Sequence, residues 1–171
     1  MLSNKIQDAI NAQINAELWS AYLYLSMSYH FANVGMPGVA NWFKIQNKEE
    51  NDHATILMDY LTSRDGRVEL KAIEGVKTSW NSLTEAFEDT YAHEQKVTSL
   101  INNLYALASA ENDYATRTKL DWFITEQVEE EDNVRSILDT LRLIGDNGSG
   151  LYSFDREMAT RTYTAPSILN A

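Results

Sequence analysis

Apolar residues recur every three or four positions along four long stretches of the chain, with charged and polar residues between them. This spacing places the apolar side chains on one face of an α-helix, so each stretch predicts an amphipathic helix. Ser3 or Asn4 can cap the first helix, and Asn81 or Ser82 marks the start of the third. The predicted helices cover about 4–33, 38–63, 82–110 and 114–144.

The breaks between these helices differ in length. Gly35 and Pro37 end the first helix, and the polar turn 111–113 ends the third. The break 64–80 is longer and shows no helical period. Fully extended it reaches over about 50 Å, more than the roughly 40–45 Å length of such helices. We therefore expect the second and third helices to be parallel and joined by one long crossover.

The C-terminal part of the chain is predicted to contain a shorter helix than the four before it. After a break at 145–150, a fifth helix is expected over about 151–160, and a tail ends at 166–171. The fold class that follows is all-α, a four-helix bundle over about 4–144 with a short fifth helix. Residues 1–171 are expected to form a single domain, because a chain of this length can bury a sizeable core.

Each apolar stripe is interrupted near its middle by an acid. These acids, one on each predicted helix, are Glu17, Glu50, Glu94 and Glu130. Because the middles of neighbouring helices lie at one height whichever way the helices run, the four acids are predicted to meet in one layer of the core. His53 follows Glu50 by one turn and Gln127 precedes Glu130 by one turn, so both are expected in the same layer.

A carboxylate buried in a bundle costs several kcal/mol unless a partner neutralises it. The stripes carry no matching set of cations, whereas two divalent metal ions would balance four carboxylates. Oxygen ligands with one imidazole suit iron or manganese better than a structural zinc site. The pattern thus predicts a two-metal centre, and the alternative is a plain bundle with a polar core layer.

Several residues near this layer have two interpretations. Tyr24 could approach the metals or only hydrogen-bond a core carboxylate. Gln127 could touch a metal or orient a ligand, and orientation is favoured. Trp122 is expected to serve core packing. His30 and His93 are expected to lie off the site, since His93 points about 100° away from its neighbouring acid around the helix.

A second group of acids flanks the inward faces of the second and fourth helices: Glu49, Glu126 and Glu129. By their residue types alone they fit a solvated acidic face, or a third, more exposed metal position that shares Glu130. Four other acids are expected at the surface, namely Glu111, Asp113, Asp121 and Asp139. Three outer aromatic residues are compatible with a subunit interface: Trp19, Tyr22 and Tyr29.

The 171 residues are 44% hydrophobic and include 25 acids, 14 bases and no cysteine. This composition fits a packed globular protein and excludes disulfides and thiolate metal centres. The net charge of −11 disfavours nucleic acid and anionic membranes as partners and attracts metal cations. The N-terminal stretch is unlike a signal peptide, and no stretch has the roughly 20 apolar residues of a membrane span, so we expect a cytoplasmic protein.

These motif positions closely resemble those of the bacterial non-haem ferritins, and the resemblance covers essentially the whole chain. It implies a ferroxidase centre at Glu17, Glu50, His53, Glu94 and Glu130, with Gln127 and Tyr24 nearby and Glu50 bridging two irons. It also implies a third iron site at Glu49, Glu126 and Glu129, sharing Glu130. The implied activity is oxidation of Fe(II) by dioxygen or hydrogen peroxide, with storage as hydrated ferric oxide inside a cage of twenty-four identical subunits.

Neighbouring families resemble the chain less well. Haem-containing bacterioferritins carry a second Glu-x-x-His in the fourth helix and a methionine where this chain has Asn51, so iron without haem is expected. Rubrerythrins add a four-cysteine iron site, which this sequence cannot form. Two other functions stay open: a di-iron oxidase of an organic substrate, which needs a pocket beside the metals, and a non-catalytic helical scaffold.

Overall fold

The computed structural model describes residues 2–170, so Met1 and Ala171, the last residue of the expected tail, lie outside it. Within that range it has five α-helices, one 3₁₀ helix and no strand. The helices are α1 (Asn4–Asn33), α2 (Pro37–Ser63), α3 (Leu83–Ala110), α4 (Tyr114–Ile144) and α5 (Gly148–Met158), followed by a 3₁₀ helix at Ser167–Asn170. The predicted all-α fold with one long crossover is confirmed.

The fifth helix begins at Gly148, earlier than the predicted start near residue 151, and it ends at Met158. The reason is its N-cap, because the Asn147 side chain accepts a hydrogen bond from the backbone nitrogen of Gly150 at 2.9 Å. Two of the glycines that predicted a break, Gly148 and Gly150, therefore lie in the first turn of α5, while Gly145 caps the end of α4. The 3₁₀ helix in the tail was not predicted.

Asp113 is not the surface acid that the sequence predicted. Its carboxylate caps α4 by accepting a hydrogen bond from Thr116 N at 3.1 Å, and it pairs with both terminal nitrogens of Arg64 at 3.1 Å. The Asp113 side chain is only 10% exposed. The guanidinium comes from the end of α2, so the ion pair joins that end to the start of α4.

The contacts between the helices establish the bundle topology. Phe43 stacks on Phe87 with ring centroids 5.1 Å apart, which places the first half of α2 beside the first half of α3. At the other end, the Tyr60 and Thr116 hydroxyl oxygens lie 2.8 Å apart, which places the end of α2 beside the start of α4. Hence α2 and α3 are parallel, while α2 and α4 are antiparallel.

The crossover runs along α1. Near its start, the Asn11 amide donates to the Arg67 carbonyl at 2.9 Å and accepts from the backbone nitrogen of Glu69 at 2.8 Å. Near its end, the Ser26 hydroxyl donates to the Lys77 carbonyl at 2.8 Å. These side chains satisfy backbone groups that no helix pairs, so the extended segment is held in place.

The core consists of two apolar clusters separated along the bundle axis by a polar layer. One cluster surrounds the stacked rings of Phe31, Phe43 and Phe87. The other is rich in isoleucine and leucine, including Ile6, Ile10, Ile14, Leu57, Ile101 and Leu120. Full burial of one such side chain contributes about 1.5–3 kcal/mol, so the clusters hold the bundle together on both sides of the polar layer.

The short α5 docks on the start of α2. The buried Asp155 carboxylate accepts a hydrogen bond from Val39 N at 2.9 Å. At Gly38 a β-carbon would collide with the Asp155 carbonyl oxygen, so only glycine permits this close approach. Within residues 2–170 we find no helix whose length and apolar character would let it span a lipid bilayer.

Candidate metal centre

The polar layer contains one acid from each bundle helix. Each of these acids is at most 4% exposed, and so is the imidazole on α2; the residues are Glu17, Glu50, Glu94, Glu130 and His53. No lysine or arginine is buried among the described residues. The helical period explains the arrangement, since each acid occupies a position that faces the core at the middle of its helix.

Three of these side chains lie close enough to hold one metal ion. Glu17, Glu50 and His53 each offer a ligand atom, and the three atoms lie within 4.8 Å of one another. His53 Nδ1 is 3.4 Å from Glu50 Oε2, without the alignment of a hydrogen bond. The i,i+3 spacing of the latter two residues on α2 therefore produces the pair that it predicted.

Glu94 and Glu130 lie outside this group of three and are held by uncharged donors. The Tyr24 hydroxyl donates to Glu94 Oε1, and the Gln127 amide nitrogen donates to Glu94 Oε2 at 3.2 Å. Gln46 donates to Glu130 Oε2 at 3.0 Å. A neutral donor orients a carboxylate without cancelling its charge, so both acids keep the capacity to bind a cation.

The third acid with such a donor is Glu17, whose Oε1 accepts from the Gln13 amide at 2.8 Å. Four other atoms of the layer have no hydrogen-bond partner among residues 2–170, although they are fully buried: Glu17 Oε2, Gln46 Oε1, Glu50 Oε2 and His53 Nε2. An unpaired buried polar atom costs about 1–3 kcal/mol, and more if it is charged. A divalent cation held by Glu17, Glu50 and one imidazole nitrogen of His53 would satisfy the two unpaired carboxylate oxygens.

Burial raises the pKa of all four carboxyl groups. It does so most for Glu50 and Glu130, where repulsion from Glu94 adds to the burial and the pKa lies well above the usual range. Burial, and then the Glu94 charge, also raise the pKa of Tyr24 well above its usual value, so the phenol stays a donor. Without a cation the layer favours protonated carboxyls, and metal binding must release protons.

Aromatic rings fix the orientation of the imidazole. The His53 ring lies edge-on to Trp122 at 5.4 Å and to Phe123 at 5.8 Å between ring centroids. Trp122 therefore packs directly against the polar layer. His93 lies apart from the ligand group, with Nε2 2.8 Å from the Ser20 hydroxyl, and burial lowers its pKa to about 4.

The second group of acids forms a lateral cluster beside the central layer, comprising Glu49, Glu126 and Glu129. Glu126 is partly buried and Glu129 is exposed. Burial raises the pKa of Glu49, an effect that Arg161 opposes and the Glu126 charge increases. Glu126 thus interacts electrostatically with both Glu49 and Glu129, but the three acids do not form a ligand group within 4.8 Å in the described part of the chain.

The lateral cluster has a basic neighbour that the sequence did not predict. Arg161 Nη2 donates to Glu49 Oε2 at 2.7 Å, and the two side chains are 24% and 18% exposed. The arginine follows α5 in the chain and reaches α2 from the C-terminal segment. One acid of the lateral cluster is therefore already paired with a cation.

Comparison with known proteins decides the family. The ferritin-like domain matches residues 7–144, which include almost all of the four bundle helices. The chain belongs to the ferritin family. The predicted resemblance is thereby confirmed at the level of the family, and the site of this ferritin lies within the matched range, apart from Arg161.

Its relatives include bacterial non-heme ferritins. The protein from Bacteroides fragilis (strain 638R) is 42% identical over 161 residues, which cover 94% of this chain and 100% of the relative. The protein from Staphylococcus haemolyticus (strain JCSC1435) is 38% identical over 163 residues, which cover 95% of this chain and 98% of the relative. The similarity thus extends beyond the bundle to nearly the whole chain.

Solved structures show the same similarity. The open-pore ferritin from the hyperthermophilic archaeon Archaeoglobus fulgidus superposes with a TM-score of 0.94 and 43% identity, covering 95% of this chain and 100% of that one. A closed form of that ferritin, engineered by site-directed mutagenesis, gives a TM-score of 0.95 at 43% identity, covering 96% and 100%.

Sequence reasoning missed three residues that contact the acids. Gln13 lies one turn before Glu17 on the same face, and Gln46 lies on the apolar stripe of α2, so helical spacing could have identified both. Arg161 gave no such signal, because its partner is on another element far away in sequence.

Proposed function

We propose that this ferritin stores iron by oxidising Fe(II) to Fe(III) at the central layer and holding the product as hydrated ferric oxide. The observation that carries the proposal is the buried group of Glu17, Glu50 and His53, whose ligand atoms lie within 4.8 Å of one another while Glu17 and Glu50 each keep an unpaired carboxylate oxygen. A bundle without metal would leave these atoms unsatisfied, at a cost that an apolar core avoids.

The chemistry of the layer suits oxidation. Anionic oxygen ligands stabilise Fe(III) more than Fe(II), because the ion with the higher charge is attracted more strongly. Two Fe(II) ions give up two electrons, which with two protons reduce dioxygen to hydrogen peroxide, or hydrogen peroxide to two water molecules. The raised carboxyl pKa values mean that Fe(II) displaces protons, which are then available at the site.

The residues have distinct roles in this proposal. The metal ligands of the central layer are Glu17, Glu50, His53, Glu94 and Glu130, with Glu50 bridging the two ions. Tyr24 and Gln127 orient Glu94 through the hydrogen bonds described above. A third iron position is formed by Glu49, Glu126 and Glu129, which share Glu130 with the centre and are more exposed.

The proposal includes assembly into a cage of twenty-four subunits, without haem, in the cytoplasm. Exposed apolar side chains support an interface between copies of the chain. Tyr22 and Tyr29 on α1 are 48% and 65% exposed, and Leu70 and Ile73 of the crossover are 65% and 42% exposed. Large exposed aromatic and aliphatic residues are typical of subunit contacts.

An oxidase of an organic substrate fits the structure less well. A cavity of about 540 Å³ lies between α1, α3 and the crossover, and its wall includes His93 and Val97. None of the four central acids lines it. A substrate bound there would not touch the proposed metal ligands.

Anaerobic titration of the metal-free protein with Fe(II) tests the proposal, followed by oxygen addition and chromatography on a sizing column. We expect two to three Fe(II) per chain, rapid formation of Fe(III) absorbance, and iron that elutes with a very large particle. Two irons on a small particle without mineral would contradict storage. Absence of Fe(II) binding would contradict the metal centre itself.

A further inference from the structure

The chain segment after α5 lies along the outer side of α2, beside the lateral cluster. Asn41 of α2 donates to the backbone carbonyls of Met158 at 3.3 Å and Arg161 at 3.0 Å. Further along, the Tyr163 hydroxyl donates to Asp52 Oδ2 at 2.6 Å. These contacts hold the backbone on both sides of Arg161 and aim its side chain at the middle of α2.

The Arg161 guanidinium is held in place by contacts with Trp42 and Glu49. It lies over the Trp42 ring, 4.7 Å from the centroid, and Nη1 donates to the Trp42 carbonyl at 3.3 Å. Nη2 donates to Glu49 Oε2 at 2.7 Å. Stacking on an aromatic ring together with hydrogen bonds to two acceptors fixes a planar guanidinium in a way that lysine cannot copy.

We propose that Arg161 is the resident cation of the lateral cluster and competes with a metal ion for Glu49. The inference rests on the proposed function, because it takes the lateral cluster as the third iron position. Arg161 holds one of the two Glu49 carboxylate oxygens and offsets the negative charge that would attract a metal ion at this position. A divalent ion therefore gains the full charge of Glu49 only when the guanidinium leaves it.

The surrounding contacts allow the guanidinium to leave Glu49 without displacing the rest of the C-terminal segment. Tyr163 stays bound to Asp52, and Ile168 and Leu169 pack against the apolar cluster that contains Leu57, so the tail is anchored without Arg161. Moving the guanidinium away from Glu49 then costs one partly exposed ion pair, together with the Trp42 contacts where the side chain leaves the ring, while the tail stays in place. Arg161 thus weakens the third position relative to the central layer, where no lysine or arginine of residues 2–170 competes.

The test compares wild type with Arg161→Gln by anaerobic calorimetric titration of the metal-free protein with Zn²⁺, a divalent probe without redox chemistry. We expect the third binding step to become about tenfold tighter in the variant, which corresponds to about 1.4 kcal/mol, while the central steps stay within about twofold. Arg156→Gln is the matched control, because it removes the same charge from an exposed position on α5.

Glu126→Gln, introduced into both wild type and Arg161→Gln, distinguishes the existence of the third metal position from the role of Arg161 in it. It should abolish the third step, which identifies that step with the lateral cluster. A third step equally tight or weaker in Arg161→Gln than in wild type overturns the role of Arg161 and leaves the third position standing. If no third step occurs in either protein, the third position fails and the inference fails with it. A third step seen only in Arg161→Gln supports the competition.

Discussion

The central layer and the lateral cluster are built from adjacent residues, yet they differ in how their charge is balanced. Glu49 and Glu50 are neighbours on α2, as Glu129 and Glu130 are on α4. The central acids are buried, and within residues 2–170 Glu17, Glu94 and Glu130 accept side-chain hydrogen bonds only from phenol and amide groups. In the lateral cluster, Glu49 is half-buried and already paired with Arg161.

Because of this difference, we expect the two groups of carboxylates to attract a metal ion with different strength. In the central layer, neutral donors orient the carboxyl groups and no described side-chain cation occupies them, so a metal ion displaces only protons and then gains the attraction of the carboxylates. In the lateral cluster, a resident guanidinium removes part of that attraction, so a metal ion gains less. We therefore expect the central layer to bind first and the lateral cluster to hold iron weakly.

The largest effect on the oxidation rate is expected when the central layer loses the Glu50 carboxylate. Glu50→Ala should lower the initial rate of Fe(II) oxidation by more than about 100-fold, because it removes one of the three ligand atoms that lie within 4.8 Å. Stopped-flow absorbance measures the rate. Glu88→Ala, an exposed acid of α3, is the control and should match wild type. A wild-type rate in Glu50→Ala would contradict the proposal that Fe(II) is oxidised at the central layer.

The next effect concerns the stability of the metal-free protein. Because burial and repulsion raise the pKa of Glu130, the folded state binds a proton that the unfolded state releases, so stability falls as pH rises above about 4.3. Glu130→Gln removes this loss and should stabilise the metal-free protein by about 1–3 kcal/mol at pH 7, with little difference at pH 4.

Denaturant unfolding of metal-free wild type and variant at both pH values measures this gain. Glu129→Gln is the control, since it neutralises an exposed neighbour and should change stability by less than about 0.5 kcal/mol. An equal gain at pH 4 and pH 7 would disagree with the argument from the pKa of Glu130. The same substitution should weaken Fe(II) binding, so in this layer affinity and stability oppose each other.

A smaller effect on the oxidation rate is expected when Glu94 loses its hydrogen bond from Tyr24. Tyr24→Phe should slow Fe(II) oxidation about tenfold while leaving the number of bound metal ions unchanged, because Glu94 loses a hydrogen bond that orients it. Tyr91→Phe, a partly buried tyrosine of α3, serves as the control. A complete loss of rate at unchanged metal affinity would point instead to electron transfer by the phenol.

The smallest effect on rate belongs to the lateral cluster. Glu129→Gln should abolish binding of the third metal ion per chain and keep the initial oxidation rate within about threefold, because the substitution is exposed and leaves the central ligands in place. Asp121→Asn, another exposed acid of α4, should retain all the metal ions. Retention of the third ion in Glu129→Gln would show that this acid is not part of the position.

Much of the fold and of the central layer could be predicted because helical spacing is a local property. The stripes assigned four helices to within a few residues, and the acid in each stripe then had to face the core. The length of the crossover was enough to predict parallel α2 and α3. The start of α5 was misplaced because an Asn147 cap outweighed the two glycines that follow it.

The amino-acid sequence by itself determined which side chains enter the core and at what height, since the helix repeat follows from the residues of each segment alone. Only the tertiary structure decided which acids meet a donor, which keep unpaired atoms and which meet a cation. Arg161 and Glu49 are 112 residues apart, and Gln46 and Glu130 are 84 apart. Their pairing depends on how the tail and the helices dock, which no local pattern encodes.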